Sequence, residues 1–388
     1  MDKKTNLKTL YFISFLLAVS TAFPAYIRSS FIEEFVGLQW LGIFFIAAML
    51  VSLIAILFFS GLIKKLTNYY LSIIVLIVNL ISIIFLVLTS SPYLLFLSFI
   101  LFTVTTVLIW INMDVFIESC SLDRTTGKTR GVYFTVLNFG WVISPLLAGY
   151  LIGNNNYRLT FIVAGLLLIP VVFTLLIKKK QLKDNCEYEH HNILYVFKKF
   201  LKNKNLKGIF FIAFLLQLFF AVMTIYVPIY LNQYLGFSWS TIGIMFTFML
   251  LPYIFLELPA GIVADKHFRE KEILIVGFLI LIASCALFFF TKSTSAIVWA
   301  LILFLSRCGA ALIEIMRETY FFKVVDVQHI DFINFLRTSG PLSFISTMIL
   351  FTLLLNFFAI QYLFIFVAII LLSGIYFAWG LKDTKQLG

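Results

Sequence analysis

Charge is scarce in this chain. Only 12% of its 388 residues are Asp, Glu, Lys or Arg, against about a quarter in a soluble globular domain. Cysteine (4), histidine (4) and proline (8) are also few. So little charge excludes a soluble enzyme, a nucleic-acid-binding protein and a disordered segment, because no soluble core of this length hides so much apolar surface. The four cysteines (Cys120, Cys186, Cys285 and Cys308) have no metal-ligand spacing and are read as free thiols. No H-E-x-x-H, G-x-S-x-G or P-loop pattern occurs, so neither an enzyme nor a resident cofactor or metal is expected. The stretch after Lys8 is too long for a signal-peptide core and lacks a small-residue cleavage site. What the chain has in excess is apolar bulk: 62% hydrophobic and 18% aromatic residues, with 46 Phe. Its apolar runs do not alternate with polar residues, which excludes an outer-membrane barrel.

Long uncharged runs define the segments. They are 9–27, 35–63, 66–113, 131–157, 159–177, 208–256, 273–291, 293–306 continuing past Arg307, and 338–381. A membrane-crossing helix takes about 20 residues. Three runs are therefore double: 66–113 breaks at Ser90-Ser91-Pro92, 208–256 at Asn232–Gly236, and 338–381 around Asn356 and Gln361. The expectation is an all-α integral membrane protein with twelve transmembrane helices.

An even count puts both termini on one side. Of the 29 Lys and Arg, only Arg28, Arg158 and Lys292 then fall on the opposite side, and Arg307, Arg317 and Arg337 fall within helices. Positive charge stays cytoplasmic, so a multi-pass protein of the cell membrane with both termini in the cytoplasm is expected. The formal charge of +11 is then topogenic and implies no nucleic-acid partner. Residues 178–207 form the one long polar stretch. Ile193, Val196, Phe197, Phe200 and Leu201 have helical spacing there, which reads as an amphipathic helix on the inner leaflet. Glu187, Glu189, His190 and His191 in the same stretch read as a solvated loop in preference to a metal site. The expected organisation is a six-helix half at 1–177, a cytoplasmic linker at 178–207 and a second six-helix half at 208–388.

The halves echo one another at an offset near 200. Gly61 pairs with Gly261, Asp114-x3-Glu118 with Glu314-x3-Glu318, Gly140 with Gly340, and Gly37-x2-Trp40 with Gly236-x2-Trp239. Duplicated six-helix halves mark secondary transporters. The stretch Gly261-Ile-Val-Ala-Asp265-Lys266-His-Phe-Arg269 resembles the loop motif G-x-x-x-D-[RK]-x-G-[RK] of the major facilitator superfamily, with Phe268 in place of the second glycine. In the first half Gly61 survives, but Lys65, Leu66 and Asn68 replace the motif's Asp, Arg and Gly. Gly140-x3-Ser144-Pro145-x3-Gly149 is similar to a loose form of the superfamily's antiporter motif.

The resemblance implies that Gly261, Asp265, Lys266 and Arg269, with Arg317 as an ion-pair partner, form a conformational latch on the cytoplasmic side. It also implies a central cavity lined by the first, fourth, seventh and tenth helices. Ionisable groups at membrane depth are usually functional. Arg307 lies about 18 Å along the tenth helix at 1.5 Å per residue, and Glu314 and Glu318 fall on its stripe. Arg307 is the candidate ligand for a polar or anionic part of the solute, or else pairs with a carboxylate when the site is empty. Glu314 is the first candidate proton carrier; Glu257, Glu318 and Asp114 follow. Trp110, Asn138, Trp141, Gln217 and Tyr226 are candidate substrate contacts. Arg28, at the outer end of the first helix, is expected among headgroups.

The reading that results is a secondary active transporter. It moves a small solute across the cytoplasmic membrane by alternating access, coupled to protons and leaning to efflux by antiport on the Gly140–Gly149 segment, with membrane lipids as surroundings and a monomer as the working unit. Alternatives are a nutrient uniporter or symporter, a lipid or lysolipid flippase and a non-transporting membrane sensor.

Overall fold

The computed structural model describes residues 3–120, 126–153, 156–182, 193–266, 270–324 and 330–382. Every regular element among them is helical. In order these are α1 (Lys3–Ala25), α2 (Arg28–Val36), α3 (Leu38–Leu88), α4 (Pro92–Cys120), α5 (Thr126–Ile152), α6 (Arg158–Ile177) and α7 (Lys179–Leu182). Then follow α8 (Ile193–Lys202), α9 (Lys204–Ile229) with a π-helical end at Tyr230–Tyr234, α10 (Trp239–Lys266) and α11 (Glu270–Phe290). The last are α12 (Ala296–Val324), α13 (Ile330–Arg337), α14 (Ser339–Leu355) and α15 (Tyr362–Trp379). Among the described residues 12 segments are long and apolar enough to cross a membrane. The first joins α1 to α2, and α3 holds two. The breaks read inside the three double runs fall where they were read, while the first span, read as ending at Ile27, runs on to Val36; within hydrocarbon a chain satisfies its backbone only as helix. The chain divides into two compact units, Met1–His190 and His191–Gly388.

Equivalent contacts recur in each unit. Gly37 and Gly236 both take positive φ, 76° and 73°, just before α3 and α10. Only glycine adopts that backbone without a Cβ penalty. In the first unit an ideal Cβ on Gly140 of α5 would stand 2.7 Å from the Ala18 Cβ of α1. The Ser144 hydroxyl donates to the Gly140 carbonyl at 2.6 Å and lies 3.4 Å from that of Val19. In the second, the Ser343 hydroxyl of α14 donates to the Phe214 carbonyl of α9 at 2.8 Å, beside Gly340. Gly140 and Ser144 thus let two helices approach closely. Pro145 sits inside the continuous α5.

The loop between the second and third spans departs from expectation. Gly61 makes no close approach: a Cβ there meets nothing within 4 Å. The chain turns instead at Thr67, with φ 60° and ψ 157°. Thr67 is the one described non-glycine residue with positive φ, and its buried hydroxyl has no hydrogen-bond partner. A β-branched residue in such a conformation costs about 1–3 kcal/mol. Thr67→Gly is therefore expected to raise the melting temperature of the purified protein in scanning fluorimetry; an unchanged or lower value would mean the turn is not strained.

The linker helix also differs. The stripe read as membrane-facing is split. Val196 and Phe200 are buried, and the Phe200 ring lies 4.5 Å from Phe335 and 5.6 Å from Phe332 of α13. Tyr195, Phe197 and Leu201 stay exposed. α13 supplies enough aromatic surface to compete with lipid for half the stripe. Residues 183–192, with Cys186 and the Glu187–His191 cluster, lie outside the described residues. Cys120, Cys285 and Cys308 are free thiols.

Candidate functional site

In the second unit α12 carries Arg307, Glu314, Arg317 and Glu318. Helical periodicity puts Arg307, Ala311, Glu314 and Glu318 on one stripe. Towards the C-terminal end of α12 one carboxylate serves two cations. Glu318 Oε1 accepts from Arg317 Nη2 at 2.5 Å and lies 3.8 Å from Arg337 Nη1 at the end of α13. The Arg317 and Glu318 side chains are 5% and 16% exposed, so the pair is desolvated. Arg317 thus meets Glu318 of its own helix, and Arg337 holds α13 to α12. The Asp265 side chain, expected opposite Arg317, lies outside the described residues, as do those of Glu118, Glu257, Gly261, Lys266 and Arg269.

Arg307 is solved differently. It is 2% exposed, yet no described carboxylate reaches it. Its guanidinium carbon sits 5.4 Å from the Phe219 ring centroid and 5.1 Å from that of Phe220, neighbours on α9. Its Nε is buried with no hydrogen-bond partner. Ring faces return about 0.5–2 kcal/mol to a cation, while burying an ion costs several kcal/mol. The aromatic pair therefore leaves Arg307 under-compensated. Glu314, half-buried and seven residues on, forms no hydrogen bond or ion pair with a described residue, although Arg317, Glu318, Arg307 and Arg337 all contribute to the field around it.

Close contact between α11 and α12 fixes the stripe. An ideal Cβ on Gly309 would stand 2.7 Å from the Gly277 carbonyl oxygen and 3.0 Å from the Leu281 nitrogen. One on Gly277 would stand 2.7 Å from Ile313 Cγ1. Gly309, two residues after Arg307 and five before Glu314 on α12, and Gly277 of α11 let the backbones touch.

The whole architecture matches a known family. The family model described as Major Facilitator Superfamily matches residues 9–244 and 209–387. The chain belongs to the Major Facilitator Superfamily. Among solved structures it is similar to the nucleoside transporter NupG, with 14% identity, 98% of each chain covered and a TM-score of 0.74. It is also similar to a bacterial homologue of the human lysosomal transporter Spinster, solved inward-facing and unoccupied. That pair has 15% identity, coverage of 97% of this chain and 96% of the other, and a TM-score of 0.74. No curated protein matches it.

The remaining expected contacts of this superfamily member are dispersed. Gln217 lies on α9, half-buried beside Gly340 of α14, two residues before Phe219. Tyr226 is 2% exposed; its hydroxyl lies 3.8 Å from Met348 Sδ and its ring 5.9 Å from that of Phe351, so it packs on α14. In the first unit Trp110, Asp114 and Asn138 are half-buried. Trp141 meets Tyr26 edge to face at 6.4 Å. Arg28, expected among headgroups, is turned inward: its guanidinium lies 5.4 Å from the Phe45 ring, and Nε is buried without a partner. The first span runs on through α2, from Asn6 to Val36, so Arg28 lies within the span and not at its end. Phe219 and Phe220 went unnoticed in the sequence, where 46 Phe carry no individual signal.

Proposed function

We propose that this superfamily member is a proton-coupled secondary transporter that moves a small, partly apolar solute outward by alternating access. It resides in the cytoplasmic membrane as a monomer with both termini inside. Family membership supports transport. One observation supports the coupling assignment. Glu318 is committed to Arg317 and Arg337, while Glu314 is the described carboxylate of the stripe with no such contact. A carboxylate that carries protons must be able to exist in both charge states, and an ion pair with two arginines forbids that to Glu318. Glu257 and Asp114 are the reserve carriers. Outward exchange rests on the Gly140–Gly149 segment.

The test is proton movement in proteoliposomes. Glu314→Gln is expected to abolish solute-driven acidification read by an enclosed pH dye, with the melting temperature kept. Retained coupling would remove Glu314 from the role.

A further inference from the structure

We infer that Arg307, backed by Phe219 and Phe220, is the binding site for the carboxylate of a monoanionic, otherwise apolar solute. The inference rests on the transporter reading and names its substrate class.

Three facts carry it. First, Arg307 is 2% exposed and its Nε is buried without an acceptor. A guanidinium in that position is missing an anion, and its planar fork matches a carboxylate. Second, the protein does not supply that anion from the described residues. Glu318 is taken by Arg317 and Arg337, and Glu314 makes no ion pair with Arg307. Third, Arg307 is thereby the cation of this stripe with no described counter-ion, and one carboxylate neutralises its single charge. A phosphate monoester, carrying close to two charges at neutral pH, would overshoot it in a region that penalises net charge.

The surroundings describe the rest of the solute. The cation is flanked by two phenyl rings, and Ala310 and Ala311 beside it are fully buried. Its immediate neighbours are therefore apolar, the environment that an alkyl or aryl body matches and a sugar or a peptide does not.

The experiment is scanning fluorimetry of the full-length protein in nanodiscs. The probes are phenylacetate and hexanoate, their neutral amides, and phenyl phosphate. The variants are Arg307→Gln, Arg307→Lys and Arg307→Met. At least one carboxylate is expected to raise the melting temperature by several degrees in the native protein, with the amides and phenyl phosphate giving little. Arg307→Gln is expected to erase that shift and Arg307→Lys to reduce it. Without ligand, Arg307→Met is expected to melt at or above the native temperature, because an under-compensated cation has been removed. The inference is overturned by equal stabilisation with the amides, by a carboxylate shift that survives Arg307→Gln, by the absence of any carboxylate shift, or by a ligand-free Arg307→Met that melts well below native. Failure of the transport reading looks different: an Arg307-dependent carboxylate shift with no flux of that acid in proteoliposomes. Conversely, flux of a neutral solute that is indifferent to Arg307→Gln would retain transport and discard the anion site.

Discussion

Gly309→Val is expected to prevent assembly of the second unit. Its Cβ would stand 2.7 Å from the Gly277 carbonyl oxygen and 3.0 Å from the Leu281 nitrogen. Both are backbone atoms of α11 and cannot rotate aside, so the two helices must separate. Overpacking a fitted contact costs about 1–3 kcal/mol and sometimes more; here the added methyls extend the clash, and about 3 kcal/mol or more is expected. The measurement is size-exclusion chromatography with a melting curve. A lost monodisperse peak, or a melting temperature far below native, is the expected result. Gly61→Ala is the control. Its Cβ meets nothing within 4 Å, and a helical Gly to Ala change gains about 0.5–1 kcal/mol. Equal behaviour of the two variants would refute the close contact between α11 and α12.

Glu318→Ala is expected to destabilise the protein by about 3 kcal/mol, since removing one partner of a buried pair strands the other. Arg317, 5% exposed, loses the partner it holds at 2.5 Å, and Arg337 loses its tie to α12. Arg337 is 34% exposed, so water compensates it in part and most of the loss belongs to Arg317. Removing both ends distinguishes stranded charge from lost packing. Glu318→Ala combined with Arg317→Met is expected to recover most of the melting temperature, because apolar replacement of a whole buried pair is often near neutral. A double variant as unstable as the sum of the singles would show that the pair itself is not the source.

Much of the fold was legible because bilayer physics writes coarse signals. Span length and the interrupting Ser90-Ser91-Pro92 report the solvent around each segment. The repeat was legible where it involves special backbone, as at Gly37 and Gly236. Neighbour choice was not. A membrane helix is apolar on every face, so periodicity does not say which face meets protein. Gly277 and Gly309 look like any small residues, and Phe219 like any phenylalanine. Half of the α8 stripe met α13 because a sequence pattern does not separate lipid from a phenylalanine cluster. At the site, the sequestering of Arg307 from the surface was legible from the cost of charge in hydrocarbon. Which carboxylate took which arginine was not, since Arg317, Glu318 and Arg337 sort themselves by side-chain reach within a folded cluster. Thr67 shows the same limit for backbone: the glycine at position 61 was conspicuous, but the strained turn fell on a residue with no turn chemistry.

The central claim is that the Arg307–Glu314 stripe is a transport site that opens to water on alternate sides. Ala311 lies one turn from Arg307 on that stripe and is fully buried in this conformation. A single cysteine there, Ala311→Cys with Cys120, Cys186, Cys285 and Cys308 replaced by serine, can be probed with a membrane-impermeant thiol reagent. Reconstituted protein of each orientation is expected to be labelled at that position, with a rate that a bound carboxylate changes in opposite senses from the two sides. A cysteine that no reagent reaches from either side, with or without solute or a proton gradient, would contradict the account.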